Sequence, residues 1–289
     1  MSLAPADLDA FLARAAAAVL VEVTATRGST PREAGAFMLV AATESLGTIG
    51  GGQLEYMAID EARQLIARRR IAKSKQRAEM DVPLGPDIGQ CCGGRVELTL
   101  RLLDPQAAKT LRARLDLEVA RLPHVYVFGA GHVGKALALA LAPLPFRTFI
   151  VETRTAELEN LPGGVEARLA AIPEAIVRAA PQDSAFIVLT HDHALDFMIV
   201  REALARPDAS YVGMIGSKTK RARFARWYRA EGGNPARLAR LVCPIGGHDV
   251  PDKRPEIIAA LTAAELLRHI ALEASPAVTL KKSEVAGRA

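Results

Sequence analysis

Two adjacent cysteines, Cys91 and Cys92, are the clearest candidates for chemistry in this sequence. They precede Gly93 and Gly94 in the segment Gly-Gln-Cys-Cys-Gly-Gly, and Arg95 follows. Glycines on both sides of a thiol let the backbone turn sharply and let a ligand approach closely. Consecutive glycine amides beside an arginine would lower a thiol pKa and bind an anion. The alternative is a tight turn whose cysteines are merely small buried residues, a common situation for free cysteine.

Two further loops in the first third of the chain have residue types suited to anions. Arg27 and Arg32 flank Gly-Ser-Thr-Pro, and such a loop can hold a phosphate or carboxylate, or can be an ordinary turn. A glycine run then opens a helix, where exposed amides and the helix dipole favour an anion. No Lys-Ser or Lys-Thr follows, so this is not the common P-loop. The candidates in this run are Gly50, Gly51, Gly52 and Gln53.

The second half of the chain contains a nucleotide-type glycine pattern. An apolar strand at 125–128 is followed at once by Gly-Ala-Gly-His-Val-Gly, then by a helix and a second strand that ends at Glu152. This is the signature of a Rossmann fold, in which a strand, a glycine-rich loop, a helix and a second strand follow one another and an acidic residue lies about 20 residues downstream of the glycines. Glu152 could accept a bond from a ribose hydroxyl, although the fold is also used without a dinucleotide. The candidates in the loop are Gly129, Gly131, His132 and Gly134.

Two later loops should lie at the same edge of that sheet, because loops after parallel strands line its ligand crevice. His191 and His193, with Asp192 and Asp196 beside them, could bind a metal or move protons, or could be hydrogen-bonded loop residues. A further helix starts with a small and basic group that could form another anion site or a solvated basic face. Its candidates are Gly216, Ser217 and Lys218.

These patterns predict an α/β protein with two domains. The N-terminal domain, of α+β or α/β type and carrying the Cys-Cys motif, is expected at 1–105, with a linker helix at 106–122. A Rossmann-like domain with a doubly wound parallel sheet is expected at 123–272, and a disordered tail at 273–289. An amphipathic helix is predicted at 7–18 with Asp7 as its cap, because apolar residues follow at helical spacing.

Composition narrows the functional classes. The 289 residues carry a net charge of +5, which favours anionic ligands, but acidic residues are interspersed and aromatics for base stacking are few. We therefore expect no nucleic-acid partner. The start lacks signal-peptide features and no apolar run is long enough for a membrane helix, so no membrane association is expected. Three cysteines do not make a disulfide framework, which favours the cytoplasm. A homodimer is the default expectation.

Taken together, the motifs resemble those of the XdhC/CoxI family over about residues 20 to 260. The Gly-Gln-Cys-Cys-Gly-Gly segment is the most specific of them, and Cys243-Pro-Ile-Gly246 is another matching piece. Gln53 stands where the CoxI-like branch tends to carry cysteine, which favours the XdhC branch. The match around Gly247 and His248 is imperfect.

The resemblance implies a chaperone for the molybdenum cofactor (molybdopterin), without turnover of its own. Such proteins hold the cofactor while a cysteine desulfurase provides sulfur, and then pass it to apo-xanthine dehydrogenase. Cys91 and Cys92 would then be close to molybdenum, with the glycine loops and Lys218 binding phosphate or a nucleotide, in a cleft between the two domains. The alternatives are an NAD(P)-dependent oxidoreductase and a cofactor-free adaptor between dehydrogenase and desulfurase.

Overall fold

The computed structural model describes residues 3–69, 76–85 and 93–274, and it describes the side chains up to residue 270. The described chain forms two compact units, which divide between Arg121 and Leu122. The Cys91–Cys92 motif lies outside the described residues, as does the predicted tail beyond residue 274.

The first unit is built around a five-stranded antiparallel sheet with strand order β3-β2-β1-β5-β4. Its helices cover both faces of the sheet. In chain order the elements are α1 (Pro5–Arg14), β1 (Val19–Arg27), β2 (Phe37–Val40), β3 (Ser45–Gly47), α2 (Gly52–Arg68), β4 (Arg77–Pro83), β5 (Arg95–Leu102) and α3 (Pro105–Ala120).

Alternation along the strands explains why both faces are covered. In β1, Val19 and Val21 pack on one side with Leu54 and the other buried residues of α2, while Leu20 points to the opposite side. There it contacts the layer formed by α1 and α3. Because side chains alternate along a strand, an apolar run such as that of β1 supplies both layers at once.

Two helix predictions change in this unit. α1 begins at Pro5, and Asp7 lies in its first turn, where its carboxylate accepts the N–H of Ala4. The proline at the first helical position starts the helix earlier than the predicted cap. The helix predicted as a linker, α3, is part of the first unit, because Leu111 and Leu115 are buried in the layer shared with α1.

The second unit contains a six-stranded parallel sheet with strand order β11-β10-β9-β6-β7-β8, as predicted for a Rossmann-like domain. The chain runs outward from β6 in one direction and then in the other, which creates a switch point between β6 and β9. The elements are β6 (His124–Phe128), α4 (His132–Leu141), β7 (Arg147–Glu152), β8 (Val165–Leu169), α5 (Pro173–Ala179), β9 (Ala185–Val188), α6 (His193–Ala205), β10 (Tyr211–Met214), α7 (Lys218–Ala230), β11 (Leu241–Val242) and α8 (Pro255–Ala274).

Helices pack on both faces of this sheet. α4 and α8 bury one apolar layer, which includes Leu137 and Leu266. α5, α6 and α7 bury the other, which includes Ile199 and Phe224. All four residues of β9 and of β10 are buried, which fits central strands of a parallel sheet covered on both sides.

The turn from β6 into α4 depends on close backbone approach. Gly129 has φ +115°, and a Cβ there would lie 2.5 Å from the carbonyl oxygen of Leu189. A Cβ at Gly134 would overlap the carbonyl oxygen of Gly129, whereas a Cβ at Gly131 would meet no atom within 4 Å. The first and third glycines therefore fix the packing of strand and helix, and the second leaves space above the loop.

Among residues 3–69, 76–85 and 93–274, no helix combines the length and apolar character required to span a bilayer.

This difference between the glycines can be tested with two variants. We expect Gly134→Ala to lower stability by about 1–3 kcal/mol, because the new methyl group forces the backbone apart. Gly131 has φ −69°, and a Cβ there would meet no atom within 4 Å. We therefore expect Gly131→Ala to change the free energy of unfolding by no more than about 0.5 kcal/mol. Urea unfolding of both variants measures the difference, and equal destabilisation would contradict the assigned packing.

Candidate functional site

Three loops of the first unit meet at one place. The loop after β1 packs against the start of β5, since a Cβ at Gly28 would lie 3.3 Å from the Cα of Gly94. A Cβ at Gly94 would in turn overlap the carbonyl oxygen of Ser29. The glycine run before α2 joins them, because a Cβ at Gly50 would lie 2.6 Å from Pro31. The structure thus brings together segments 27–32, 47–52 and 93–94, which the sequence separates widely; we call them the three-loop cluster.

The cluster borders the Cys-Cys motif in the chain. Gly93, which follows Cys92, donates its N–H to Leu84 over 2.8 Å, and Leu84 donates to Gly94 over 2.7 Å. These bonds extend the pairing of β4 and β5 up to the motif. Cys91 and Cys92 lie outside the described residues, so their assigned role remains a prediction.

Glu55 on α2 holds the glycine run from inside. One of its oxygens accepts the Thr48 hydroxyl at 2.7 Å and the N–H groups of Ile49 and Gly51 at 3.3 and 3.0 Å. Gly52 and Gln53 form the first turn of α2, and both are exposed. The anion that these amides favour is therefore supplied, at Ile49 and Gly51, by the chain's own carboxylate.

The arginines around the cluster differ in their partners. Arg27 is exposed and pairs with Glu97 at 3.2 Å. Arg95 makes two bonds to Asp81, of 2.5 and 2.6 Å, and lowers the pKa of that carboxyl group. Arg95 was expected to lower the pKa of the thiols, but its guanidinium is paired with Asp81. Arg32 differs, because its buried Nε has no hydrogen-bond partner within the described residues.

In the second unit, a buried carboxylate holds the glycine loop after β6. Glu152, 5% exposed at the end of β7, accepts the N–H of Ala130 at 3.0 Å. Its other oxygen accepts the N–H and hydroxyl of Thr153, and Arg154 also contacts the carboxylate. Burial opposes the charged form, but these hydrogen bonds outweigh it and lower the pKa of Glu152 to about 2. Glu152 is the predicted acceptor of a ribose hydroxyl, and both of its oxygens already accept bonds from the protein.

The loop after β9 is tied to α7 by a buried ion pair. Asp196 is fully buried and accepts Lys220 Nζ at 2.5 Å, together with the N–H and hydroxyl of Thr190. The structure thus identifies Asp196 and Lys220 as a link between the ends of β9 and β10.

The two histidines of the β9 loop are exposed. His191 lies in the loop and His193 is the first residue of α6, whose cap is Asp192. Asp192 accepts the N–H of Ala194 at 2.7 Å, so the aspartate has a local structural role. Within the part of the chain that the structure describes, no group of three or more potential metal-ligating side chains is present. His132 is likewise exposed, at the first position of α4.

The last candidate group lies after β10, at the start of α7. Ser217 caps α7 through its hydroxyl, which accepts the N–H of Lys220 at 3.2 Å, and Gly216 precedes it. Lys218 lines a cavity shared with Arg221 and Cys243. The residues lining this cavity include none from the glycine loop or the β9 loop. The predicted role of Lys218 in binding phosphate or a nucleotide remains a prediction.

Two family models match this chain. The XdhC and CoxI family model covers residues 11–74, in the first unit, and the XdhC Rossmann domain model covers residues 125–266, in the second. Fold and motifs thus define a two-unit α/β protein with a Rossmann-like domain. The chain belongs to the XdhC and CoxI family.

Two individual proteins are also similar to this chain. The chain is 27% identical over 252 residues to uncharacterized protein YqeB of Escherichia coli (strain K12), an alignment that covers 86% of this chain and 43% of that protein. It therefore spans less than half the length of this relative. A crystal structure of a xanthine dehydrogenase from Bacillus halodurans matches with a TM-score of 0.76 and 18% identity, over 95% of this chain and 98% of the other. That likeness shows a common fold.

The role of Glu152 predicts a specific pH dependence. Its pKa is depressed in the fold, so its contribution to stability is present above about pH 4.5 and is lost as the pH falls towards 2. At neutral pH, Glu152→Gln should lower the free energy of unfolding by about 1–3 kcal/mol, because buried donors lose their acceptor. The difference in the free energy of unfolding between Glu152→Gln and the unsubstituted chain, measured by urea unfolding, should be smaller at pH 3. Exposed Glu159→Gln is the control, and a difference independent of pH would contradict the account.

Proposed function

We propose that this protein is an accessory factor in the maturation of a xanthine dehydrogenase-type enzyme, and that it carries the molybdenum cofactor (molybdopterin). Membership of the XdhC and CoxI family supports the accessory role. The observation that carries the cofactor proposal is the three-loop cluster, which adjoins the Cys91–Cys92 motif in the chain and contains Arg32, whose buried Nε has no partner among the described residues.

Arg32 shows what kind of ligand fits the cluster. A buried guanidinium N–H without an acceptor is costly, and this cost is removed when an anion binds. Guanidinium groups form strong, charge-assisted bonds with phosphate oxygens. The side chain of Arg32 is close to Gly50, since a Cβ at Gly50 would lie 3.7 Å from the Cγ of Arg32. We therefore assign Arg32 to the phosphate of the cofactor, with Arg27 at the exposed side.

The thiols fit the other end of such a ligand. When bound, the cofactor supplies a softly ligated molybdenum and an oxidation-prone dithiolene. Thiolates are the soft ligands available in proteins, so Cys91 and Cys92 would retain the metal end. Gly93 and Gly94 would keep the adjoining backbone compact. The expected partners are the molybdenum subunit of xanthine dehydrogenase and a cysteine desulfurase, with the chain as a homodimer.

The dehydrogenase alternative receives less support. A dinucleotide would need Glu152 to accept its ribose hydroxyl, and both oxygens of Glu152 accept protein donors. A nucleotide part at the glycine loop and the roles of His132, His191 and His193 remain predictions. The shared cleft between the domains also remains a prediction.

Cofactor retention tests the proposal. The unsubstituted full-length chain, incubated with free molybdenum cofactor, should retain it through gel filtration. Cys91→Ala/Cys92→Ala should weaken retention by at least about ten-fold, as expected when metal-binding interactions are lost. Arg32→Ala should weaken it by about ten-fold through loss of a charge-assisted bond.

Arg77→Ala is the matched control, because Arg77 is an exposed arginine of the same unit that pairs with Glu79. It should retain the cofactor fully, and circular dichroism should show all variants folded. An unsubstituted chain without bound cofactor would favour the adaptor alternative. Undiminished retention by the double cysteine variant would remove the proposed thiol role.

A further inference from the structure

A cavity of about 550 Å³ in the second unit has no part in the proposed function. One wall is a face of α7 that presents Lys218, Arg221, Ala222 and Ala225, at positions i, i+3, i+4 and i+7. These positions recur on one side of a helix. The opposite side of α7 is buried in the core through Phe224 and Tyr228. The small side chains of Ala222 and Ala225 leave space beside the helix, and Lys218 and Arg221 lie in its first turns.

The cavity has more positive charge than its own residues neutralise. Within the described part of the chain, neither Lys218 nor Arg221 forms an ion pair, and the Arg221 guanidinium donates only to the carbonyl oxygen of Leu241, at 3.3 Å. Glu265 also lines the cavity, where its carboxylate accepts the N–H of Gly246 at 2.8 Å and the Tyr211 hydroxyl at 3.0 Å, so two cations face this one carboxylate. The N-terminus of α7 adds its dipole at Lys218. An anion is therefore favoured at this end.

A buried thiol is directed at the same space. Cys243 lines the cavity, is 8% exposed and has no hydrogen-bond partner within the described residues. Burial raises its pKa to about 11, although Lys220 and Arg221 act in the opposite direction. At neutral pH the group is a protonated thiol, a weak donor that is unsatisfied without a ligand.

The remaining walls are apolar except at Gly247 and His248. Leu241, Val242 and Pro244 line the cavity together with the two alanines of α7. A volume of this size is in the range of small-molecule sites, which combine apolar walls with a few polar groups that orient the ligand. The ligand thus has a compact apolar body and an anionic group.

From this geometry we propose that the cavity between α7, β11 and α8 binds a small phosphate monoester. Its phosphate lies against Lys218 and Arg221 at the start of α7, and its apolar body lies along the alanines and Pro244, over Cys243. Phosphate suits this end because helix N-termini and guanidinium groups both favour it. The site uses no residue of the first unit, so its failure would leave the cofactor proposal unaffected.

Cys243 provides the readout. The chain has three cysteines, so in full-length Cys91→Ser/Cys92→Ser protein Cys243 is the only thiol. Its alkylation by iodoacetamide is followed by mass spectrometry at about pH 9, where some thiolate is present. Phenyl phosphate is the probe, and phenol, benzoate and inorganic phosphate are the comparisons. Phenyl phosphate should slow alkylation about ten-fold at ten times its dissociation constant, as mass action requires.

Variants assign the effect to the two cations. Lys218→Ala and Arg221→Ala should each weaken phenyl phosphate binding by about ten-fold, through loss of a charge-assisted bond. Arg223→Ala is the control, because Arg223 is exposed on α7 and does not line the cavity. Calorimetry on the unsubstituted full chain should reproduce the affinity.

The proposal would be overturned if phenyl phosphate gave no protection, or if Lys218→Ala and Arg221→Ala left the protection unchanged. It would also be overturned if Arg223→Ala weakened phenyl phosphate binding as much as they do. Equal protection by benzoate would replace phosphate with carboxylate and so contradict the assigned ligand class.

Discussion

Hydrogen bonds from backbone amides to buried or half-buried carboxylates hold the candidate loops of both units. Each carboxylate belongs to an element that packs beneath or beside the loop it holds. A buried amide without an acceptor costs about 1–3 kcal/mol, so these contacts determine which loop conformations are stable. The pairs are Glu55 with Ile49 and Gly51, Glu152 with Ala130, Asp196 with Thr190, and Glu265 with Gly246.

This arrangement changes how the glycine loops are understood. Glycine-rich turns at helix starts usually suggest a ligand anion, because their amides are exposed. Here a carboxylate of the chain already accepts hydrogen bonds from some of those amides. A ligand phosphate would therefore find more free donors at other places in the protein. Among the described residues, the buried groups without a hydrogen-bond partner include the Nε of Arg32 in the first unit and the thiol of Cys243 in the second, besides the hydroxyls of Thr148 and Ser210. The two proposed sites are located at Arg32 and at Cys243.

Much of the fold could be predicted from the sequence, because it depends on local patterns. The parallel sheet follows from apolar strands that alternate with helices, and the turn at Gly129 follows from glycine spacing. The carboxylate contacts could not be predicted in the same way. Glu152 was in the expected place for a ribose contact, and only its distance to Ala130 shows that it binds the loop. Likewise, the charge of Asp196 gave no sign of its buried partner, Lys220.

The three-loop cluster shows the same limit at longer range. Each segment has glycines that suggest close approach, but their meeting depends on how the strands of an antiparallel sheet are paired. The short β3 and the strand β4 were missed, because a strand of three residues and one with alternating charges give weak patterns. The sequence therefore predicted the candidate residues of the first unit better than it predicted their grouping.

Hydrogen–deuterium exchange of the full-length chain, with and without molybdenum cofactor, tests the central claim most directly. The account expects bound cofactor to slow amide exchange in segments 27–32, 47–52 and 93–94 of the first unit. Slower exchange confined to the glycine loop at 129–134, with no change in the three-loop cluster, would contradict it.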